Sequence, residues 1–258
     1  MHVIVCGKVI PDTTVPLQID PKTKRVIRSG IGHELDPAAA GAVEEALRIT
    51  DAHGGEVTFI TMGIADATIG IRKAYAMGVA NGLHLLDDAF AGSDTLGTAK
   101  ALAAAIKRSP FDLVICGTES SDSYSGIVPV QIAILLGIPA LTFAKAVSVE
   151  GNSVRIQRQS ETGYSVVTAE LPALISVTSG INEPRFPPLK GVMAARKMPI
   201  ETLSASDLGL AGAVGESAAR ERVLTVGAPP ARTAGEVIED GGEGGRRIAV
   251  LLAARGLI

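Results

Sequence analysis

The chain lacks tryptophan, and aromatic side chains make up only 3% of its 258 residues. Proteins that bind single-stranded nucleic acid usually stack the bases on aromatic side chains, and binding to the phosphate backbone requires a basic surface. This sequence is poor in aromatics and carries a formal net charge of -3. The composition therefore argues against DNA or RNA as a partner.

Cysteine is also scarce, since Cys6 and Cys116 are the two cysteines of the chain and each lies inside a strand-like run. They form neither a CxxC pair nor a zinc-ligand spacing, and the four histidines are scattered. We expect buried free thiols in a reducing compartment. No signal-peptide pattern precedes the strand-like run 2–9, so we expect a cytoplasmic protein.

Long hydrophobic runs are missing as well. No apolar run reaches the roughly 18 residues that a membrane-spanning helix requires, so we expect no membrane insertion. The sequence has no GxxxxGK[ST], no GxSxG and no GxGxxG after a strand, and no acid–base pair or activated nucleophile stands out. These absences favour a binding or carrier protein over an enzyme with catalytic groups of its own.

The first 143 residues or so alternate between short β-rich runs and helical segments. Strands are predicted at 3–7, 57–62, 83–86, 113–116 and 140–143, and helices at 37–49, 65–77, 94–107 and 128–136. Repeated βα units of this kind predict an α/β fold, with a doubly wound, mostly parallel sheet covered by helices on both faces. Ligands of such sheets bind outside the carboxyl ends of the strands.

Other segments depart from this alternation. The long connection 11–35 predicts a small hairpin in which 17–19 and 25–28 flank a turn at 20–24. After residue 143 the period changes to 2, and the runs 145–149, 153–159, 164–169 and 174–177 predict antiparallel strands that extend or cap the sheet.

The C-terminal composition is different again. Segment 211–245 is rich in Gly, Ala, Pro, Glu and Arg, which predicts an arm that gains order only against a partner, with disorder as the alternative. A short helix is predicted at 246–254. We therefore divide the chain into an α/β domain at 1–205 and a C-terminal arm at 206–258.

One candidate binding segment follows the strand predicted at 113–116. It begins at Gly117, is dense in hydroxyl groups, and leads past Gly126 into a helical segment with Pro129 near its start. The free amides of a helix start, together with Ser and Thr hydroxyls, bind phosphate without a lysine. The alternative is an ordinary βα turn rich in small polar residues.

The docking segment, residues 182–197, is the second candidate. Its first part is held extended by Pro184, Pro187 and Pro188. A short helical pattern then presents Leu189, Val192 and Met193 beside Lys190, Arg196 and Lys197. Prolines reduce the entropy lost on binding, and an exposed Leu or Met among charges can anchor an interface. A surface helix with basic side chains lying along it is the alternative.

Several segments together resemble the β subunit of electron transfer flavoprotein. They are 5–12, 36–37, 42–47, 71–78, 117–122 and 182–197, and Glu161 and Pro172 also stand where that family has them. The resemblance covers about residues 1–205. It implies an adenine-nucleotide α-hydrolase-like fold and a heterodimer with an α subunit that holds most of an FAD.

The resemblance also implies that the chain binds a structural AMP and completes the FAD site. Carried over position by position, the AMP contacts would be Cys6, Asp36, Met62, Gly117, Thr118, Glu119, Ser120, Ser121, Asp122, Ser123, Tyr124, Ser125, Gly126, Ile127 and Val128. Asp12 and Thr13 would lie near the FAD. The family often has amides and a threonine where this chain has Ser125, Gly126 and Val128, so phosphate would depend more on backbone amides and Ser hydroxyls here.

The implied role is electron transfer from flavin dehydrogenases, such as acyl-CoA dehydrogenases of fatty acid oxidation, toward a membrane quinone reductase. Leu189 would insert into a pocket of the dehydrogenase, and Val192, Met193, Arg196 and Lys197 would accompany it. One alternative is a second FAD in place of AMP in an electron-bifurcating relative, although Ile134 stands where an acidic residue is expected. Others are a freestanding ATP-binding or ATP-hydrolysing stress-type domain and a non-redox scaffold subunit.

Overall fold

The computed structural model describes residues 1–227, 230–231, 237 and 240–258, which form two compact units, 1–223 and 224–258. The predicted boundary between 205 and 206 stays a prediction. The helices are α1 (Pro37–His53), α2 (Thr68–Met77), α3 (Thr95–Ile106), α4 (Val128–Leu136), α5 (Leu189–Ala195) and α6 (Gly244–Ala254). The strands are β1 (His2–Cys6), β2 (Val9–Pro11), β3 (His33–Leu35), β4 (Glu56–Met62), β5 (Asn81–Leu85), β6 (Leu113–Gly117), β7 (Ala140–Glu150), β8 (Ser153–Ser160), β9 (Gly163–Glu170), β10 (Ala173–Val177) and β11 (Glu201–Leu203).

Nine of these strands form one sheet in the order β11-β5-β4-β1-β6-β10-β7-β8-β9. The pairings from β11 to β7 are parallel, whereas β7, β8 and β9 pair antiparallel. From β1 the chain winds outward through β4 and β5 on one side and through β6 on the other, so β1 is the topological switch point. The predicted α/β fold, with a mostly parallel sheet extended by antiparallel strands, is confirmed.

The two faces of the sheet carry separate hydrophobic clusters. On β1, Val3 and Val5 pack with residues of α1 and α2, whereas Ile4 and Cys6 pack with residues of α3 and α4. Because both faces are covered, the central strands are mostly apolar toward both faces and show no regular alternation of apolar and polar residues. The polar side chains inside these strands, Thr58 and Thr61 in β4 and Ser176 in β10, are themselves buried, and the charged groups lie at or beyond the strand ends.

The strand at 174–177 was predicted to be antiparallel, and this prediction is wrong. It forms β10, which lies between β6 and β7 and pairs parallel with both. All five residues of β10 are buried, which is typical of a strand that is covered on both faces of a sheet. Its β-branched residues did not indicate whether the strand pairs parallel or antiparallel with its neighbours. The runs predicted at 140–143 and 145–149 form the single strand β7, with an irregular register between Ala144 and Ala146.

Three short strands were not predicted. β2 and β3 form a separate antiparallel pair that closes the long connection between β1 and α1. Within this connection the predicted hairpin is reduced to a single bridge between Ile19 and Val26. β11 adds a parallel strand beside β5 at the sheet edge. We call residues 12–32 the excursion, because the chain leaves β2 and returns to β3 there.

The predicted C-terminal arm falls partly outside the described residues. At its start Val214 is buried in the same cluster as α3 and α4 residues, so this part is ordered by the chain's own core and not only by a partner. The predicted C-terminal helix forms α6, none of whose residues is buried. Across the described ranges, no helix combines the length and apolar character that crossing a membrane requires.

Phe59 provides a test of the core. Its side chain is fully buried in β4, and a Cβ at Gly7 would lie 2.4 Å from its ring. Phe59→Ala should lower the free energy of unfolding by about 3–5 kcal/mol, because a large cavity is created. Phe186→Ala, at a 95% exposed position, should change it by less than about 0.5 kcal/mol. Urea denaturation of both variants checks this, and equal losses would contradict the assigned core.

Candidate functional site

Three neighbouring parallel strands bring their carboxyl ends to one edge of the sheet. Cys6 ends β1, Met62 ends β4 and Gly117 ends β6, in the order β4-β1-β6. Cys6 is buried and free, and it is the register partner of the equally free Cys116. A side-chain hydrogen bond with Cys116 and burial raise the pKa of Cys6 well above its ordinary value. The thiol is therefore neutral at this edge.

Asp36 is an N-cap whose carboxylate is fully used inside the protein. Its Oδ1 accepts a hydrogen bond from the Ala38 amide at 2.8 Å, which satisfies a free donor in the first turn of α1. Its Oδ2 accepts from the amide and hydroxyl of Ser121 at 2.8 and 2.6 Å. Asp36 thus ties the loop after β6 to the start of α1, with both of its carboxylate oxygens hydrogen-bonded within the chain.

The hydroxyl loop, residues 117–127, connects β6 to α4. Thr118 is buried and donates its hydroxyl to the Val177 carbonyl at 3.1 Å. Gly126 has a φ of 65°, which a glycine adopts without strain as the chain turns into α4. The N-cap of α4 is Ile127, and within the described part of the chain no side chain caps the helix, which leaves first-turn amides without a side-chain acceptor. The loop therefore has the donors that a phosphate requires.

Asp122 in this loop is held by two cations from elsewhere in the chain. Lys8 Nζ lies 2.6 Å from its Oδ1 and the Arg28 guanidinium lies 2.5 Å from its Oδ2. The side chain of Asp122 is 3% exposed. Burial would raise the pKa of Asp122, but Lys8 and the hydrogen bonds from Arg28 and Ser120 outweigh it and lower the pKa to about 2. We call these three residues the Asp122 cluster.

Sequence analysis missed Lys8 and Arg28. Arg28 lies on the excursion, 94 positions before Asp122 in the sequence, and neither periodicity nor a motif connects the two. A signal available in the sequence was the set of basic residues in the long connection that leaves the carboxyl edge of the sheet. Lys8 also donates to the hydroxyls of Ser120 and Ser123, at 3.2 and 3.1 Å.

Two cavities adjoin the Asp122 cluster. The first cavity, of about 140 Å³, is lined by Lys8, Val9, Arg28, His33, Met62, Gly63, Ile64 and Ala67. The second cavity, of about 270 Å³, is lined by Ile10, Pro11, Thr13, Val15, Leu17, Ser121, Asp122 and Tyr124. Among the predicted AMP residues, Met62 lies in the first cavity, and Ser121, Asp122 and Tyr124 lie in the second. Thr13 also lines the second, whereas Asp12 accepts hydrogen bonds from the amide and hydroxyl of Thr14.

The docking segment is attached to α1 at its N-terminal end. The Arg185 guanidinium pairs with Glu44 and with Asp51, each at 2.9 Å. The Asn182 amide donates to Glu45 at 2.9 Å and to the Gly41 carbonyl at 3.0 Å. Glu44 and Glu45 are both buried on α1. These contacts therefore stabilise two carboxylates whose burial without a partner would be energetically unfavourable.

The C-terminal end of the docking segment is attached to α2. The Arg72 guanidinium donates to the carbonyls of Ala195 and Met198, and the Tyr75 hydroxyl donates to the Pro199 carbonyl. A Cβ at Gly191 would lie 2.6 Å from the Ala76 carbonyl oxygen, so α5 approaches α2 more closely than a side chain would allow. The segment is thus fixed at both ends.

Between these attachments, apolar side chains are exposed. Leu189 is 79% exposed and Met193 is 55% exposed, with Val192, Arg196 and Lys197 on the surface around them. Phe186 is the most exposed of the group, and sequence analysis did not single it out although it lies among the prolines. Apolar side chains displayed on a fixed support are typical of an interaction surface.

Comparisons with known proteins agree with the resemblance noted from the sequence. Residues 23–208 match the model of the electron transfer flavoprotein domain. An electron transfer flavoprotein subunit beta from Mycobacterium leprae is 40% identical over 264 residues, which cover 100% of this chain and 99% of the relative. The subunit beta from Thermoanaerobacterium thermosaccharolyticum is 37% identical, with 92% of each chain covered. The subunit CarD of the caffeyl-CoA reductase-Etf complex from Acetobacterium woodii is 38% identical, again with 92% of each covered. The chain therefore belongs to the electron transfer flavoprotein family, on the side of its β subunits.

Proposed function

We propose that the chain is the small subunit of a heterodimeric electron transfer flavoprotein. It accepts electrons from flavin dehydrogenases, such as acyl-CoA dehydrogenases of fatty acid oxidation, and passes them toward a quinone reductase. The observation that carries the proposal is the docking segment, in which Leu189 and Met193 stand exposed while both ends are fixed to α1 and α2. The beta-subunit names of the relatives support an α subunit as the partner.

In this proposal the chain binds and orients, and the flavin supplies the redox chemistry. The FAD is held mostly by the α subunit, with Asp12 and Thr13 near it. Thr13 lines the second cavity together with the apolar Val15 and Leu17, which suits the edge of a flat aromatic ring system. Under this proposal, electron transfer depends on the close approach of the two flavins. It therefore requires no proton transfer by the described residues of this chain.

A structural AMP is proposed at the carboxyl edge of β4, β1 and β6. The uncapped start of α4 offers backbone amides to its phosphate, and the Ser120 and Ser123 hydroxyls, which donate to Asp122, lie in the loop that leads to it. Met62 and Ile64 offer apolar surface to its adenosine. Asp36 acts indirectly, since it holds the hydroxyl loop against α1.

The C-terminal segment 206–258 is proposed to pack on the α subunit. In its described part, α6 exposes Ile248, Val250 and Leu251. A helix that exposes several apolar side chains is stabilised when a partner covers them. The buried free thiols Cys6 and Cys116 suit a reducing compartment, which supports a cytoplasmic location.

Extraction of bound nucleotides tests the cofactor proposal. The chain should be colourless when purified alone and yellow when co-expressed with its α subunit. Denaturing the complex should release one AMP per FAD, measured by chromatography of the supernatant. Two FAD molecules and no AMP would instead indicate the bifurcating alternative. ATP turnover by the lone chain would favour the stress-type domain, and a complex without nucleotide would favour the scaffold.

Leu189→Ala tests the docking role. The substitution removes an exposed apolar anchor, so the apparent affinity for the dehydrogenase should fall about tenfold or more, while the FAD content of the heterodimer stays unchanged. Steady-state reduction of the flavin at varied carrier concentration measures this. Ile134→Ala is the matched control, because Ile134 is comparably exposed on α4, on the other face of the sheet. Loss of FAD in the Leu189 variant would contradict a docking role.

Gly191→Ala tests whether the position of the docking segment matters. The added methyl group would meet the Ala76 carbonyl oxygen and push α5 away from α2. We expect weaker reduction by the dehydrogenase, with Leu189 still present and FAD retained, and a stability loss of about 1–3 kcal/mol. Flavin reduction kinetics and thermal unfolding measure the two effects. Ala194→Gly, at an exposed position in the same helix, controls for helix propensity. Unchanged kinetics in the Gly191 variant would show that the segment adjusts freely.

A further inference from the structure

The sulfur atoms of the chain differ widely in their access to solvent. The sequence has two cysteines and five methionines, and all of them lie among the described residues. Met193, on α5, is 55% exposed, whereas the other methionines and both cysteines are buried or half-buried. An oxidant dissolved in water therefore reaches the Met193 thioether most readily.

The two cysteines are protected from such an oxidant. Cys6 is 8% exposed and Cys116 is 4% exposed. A thiol reacts with peroxide as its thiolate, and the hydrogen bond with Cys116 together with burial raises the pKa of Cys6 well above its ordinary value. A thioether needs no ionisation, because the lone pair of its sulfur reacts directly. Chemistry and access therefore both favour Met193.

Met193 lies on the face of α5 that points away from the protein. The opposite face carries Gly191, where a Cβ would lie 2.6 Å from the Ala76 carbonyl oxygen, and Ala195, which is 2% exposed. Leu189 and Met193 are four residues apart, so they are neighbours on the outward face. A partner that covers the Leu189 side chain therefore also covers Met193.

Oxidation would change the character of this outward face. A methionine thioether is apolar, flexible and polarisable, and it packs well against the apolar surface of a partner. A sulfoxide is polar, and burying its oxygen without a hydrogen-bond donor is unfavourable. The same side chain therefore favours docking in its reduced form and opposes docking in its oxidised form.

We infer that Met193 is an oxidation site, and that its conversion to methionine sulfoxide by hydrogen peroxide weakens docking of the electron donor. The sulfur lone pair attacks one peroxide oxygen, so an S–O bond forms while the O–O bond breaks, and the other oxygen leaves as water after a proton shift. The sulfur loses two electrons, which reduce the peroxide.

The modification is reversible. A methionine sulfoxide reductase with a dithiol restores the thioether, and the products are water and a disulfide. The inference rests on the proposed function, since it takes segment 182–197 as the surface that docks a flavin dehydrogenase.

Peroxide treatment of the heterodimer, made from the full-length chain and its α subunit, tests this inference. After catalase has removed the remaining peroxide, peptide mass spectrometry should find Met193 oxidised before the other methionines of this chain. The apparent affinity for the dehydrogenase should fall about tenfold, because an apolar contact is lost. FAD content should stay unchanged, and methionine sulfoxide reductase should restore the affinity.

Two leucine variants show which methionine is responsible. Met193→Leu cannot be oxidised at this position, so its affinity should be the same before and after peroxide treatment. Met198→Leu is the matched control, because Met198 is close in sequence but packs against the core cluster. This variant retains Met193 and should lose as much affinity on treatment as the unsubstituted heterodimer. Thermal unfolding verifies that each protein remains folded.

The outcomes separate this inference from the proposed function. It is overturned if another methionine of the chain is oxidised before Met193, if Met193→Leu loses as much affinity on treatment as the unsubstituted heterodimer, or if oxidation releases FAD. If Met193 sulfoxide leaves the affinity unchanged while Leu189→Ala lowers it, the docking surface stands and this inference fails. If neither change affects the affinity, both fail.

Discussion

Burial of the central parallel strands on both faces is the constraint on which the rest of the structure depends. β1, β4, β6 and β10 have apolar side chains toward helices on each side, so nearly every polar interaction must lie beyond the strand ends. The carboxyl edge of the sheet holds two of the chain's buried carboxylates. Asp36 and Asp122 are found there, each satisfied by donors from a different part of the sequence.

One helix, α1, connects the carboxyl edge of the sheet with segment 182–197. The N-cap residue of α1, Asp36, fixes the hydroxyl loop, while Glu44 and Glu45 farther along the same helix hold Arg185 and Asn182. Two regions that are more than 50 residues apart in the sequence are therefore positioned by a single rigid element. This explains why the helix keeps two buried glutamates in an otherwise Ala-rich sequence, since an unpaired buried carboxylate would be strongly unfavourable.

Local periodicity and short apolar runs predicted most of the helices and strands. The helices α1 to α4 and the strands β1, β4, β6, β8 and β9 fall close to the positions predicted from the sequence. The direction of β10 was predicted wrongly, because a strand of five buried residues looks the same whether its neighbours run parallel or antiparallel. The site was only partly predictable for a similar reason. Loop 117–128 and Leu189 carry local patterns, whereas Lys8, Arg28 and His33 come together only through tertiary folding of the excursion.

The attachment of residues 182–197 at both ends has a consequence for how this lineage can diversify. Since Arg185, Asn182, Arg72 and Tyr75 secure the flanks, the tips at Phe186, Leu189 and Met193 are largely exposed between them. Those tips can be replaced without disturbing the scaffold beneath them. A few substitutions at these positions can therefore change the chemistry of the exposed surface while the fold beneath it stays the same.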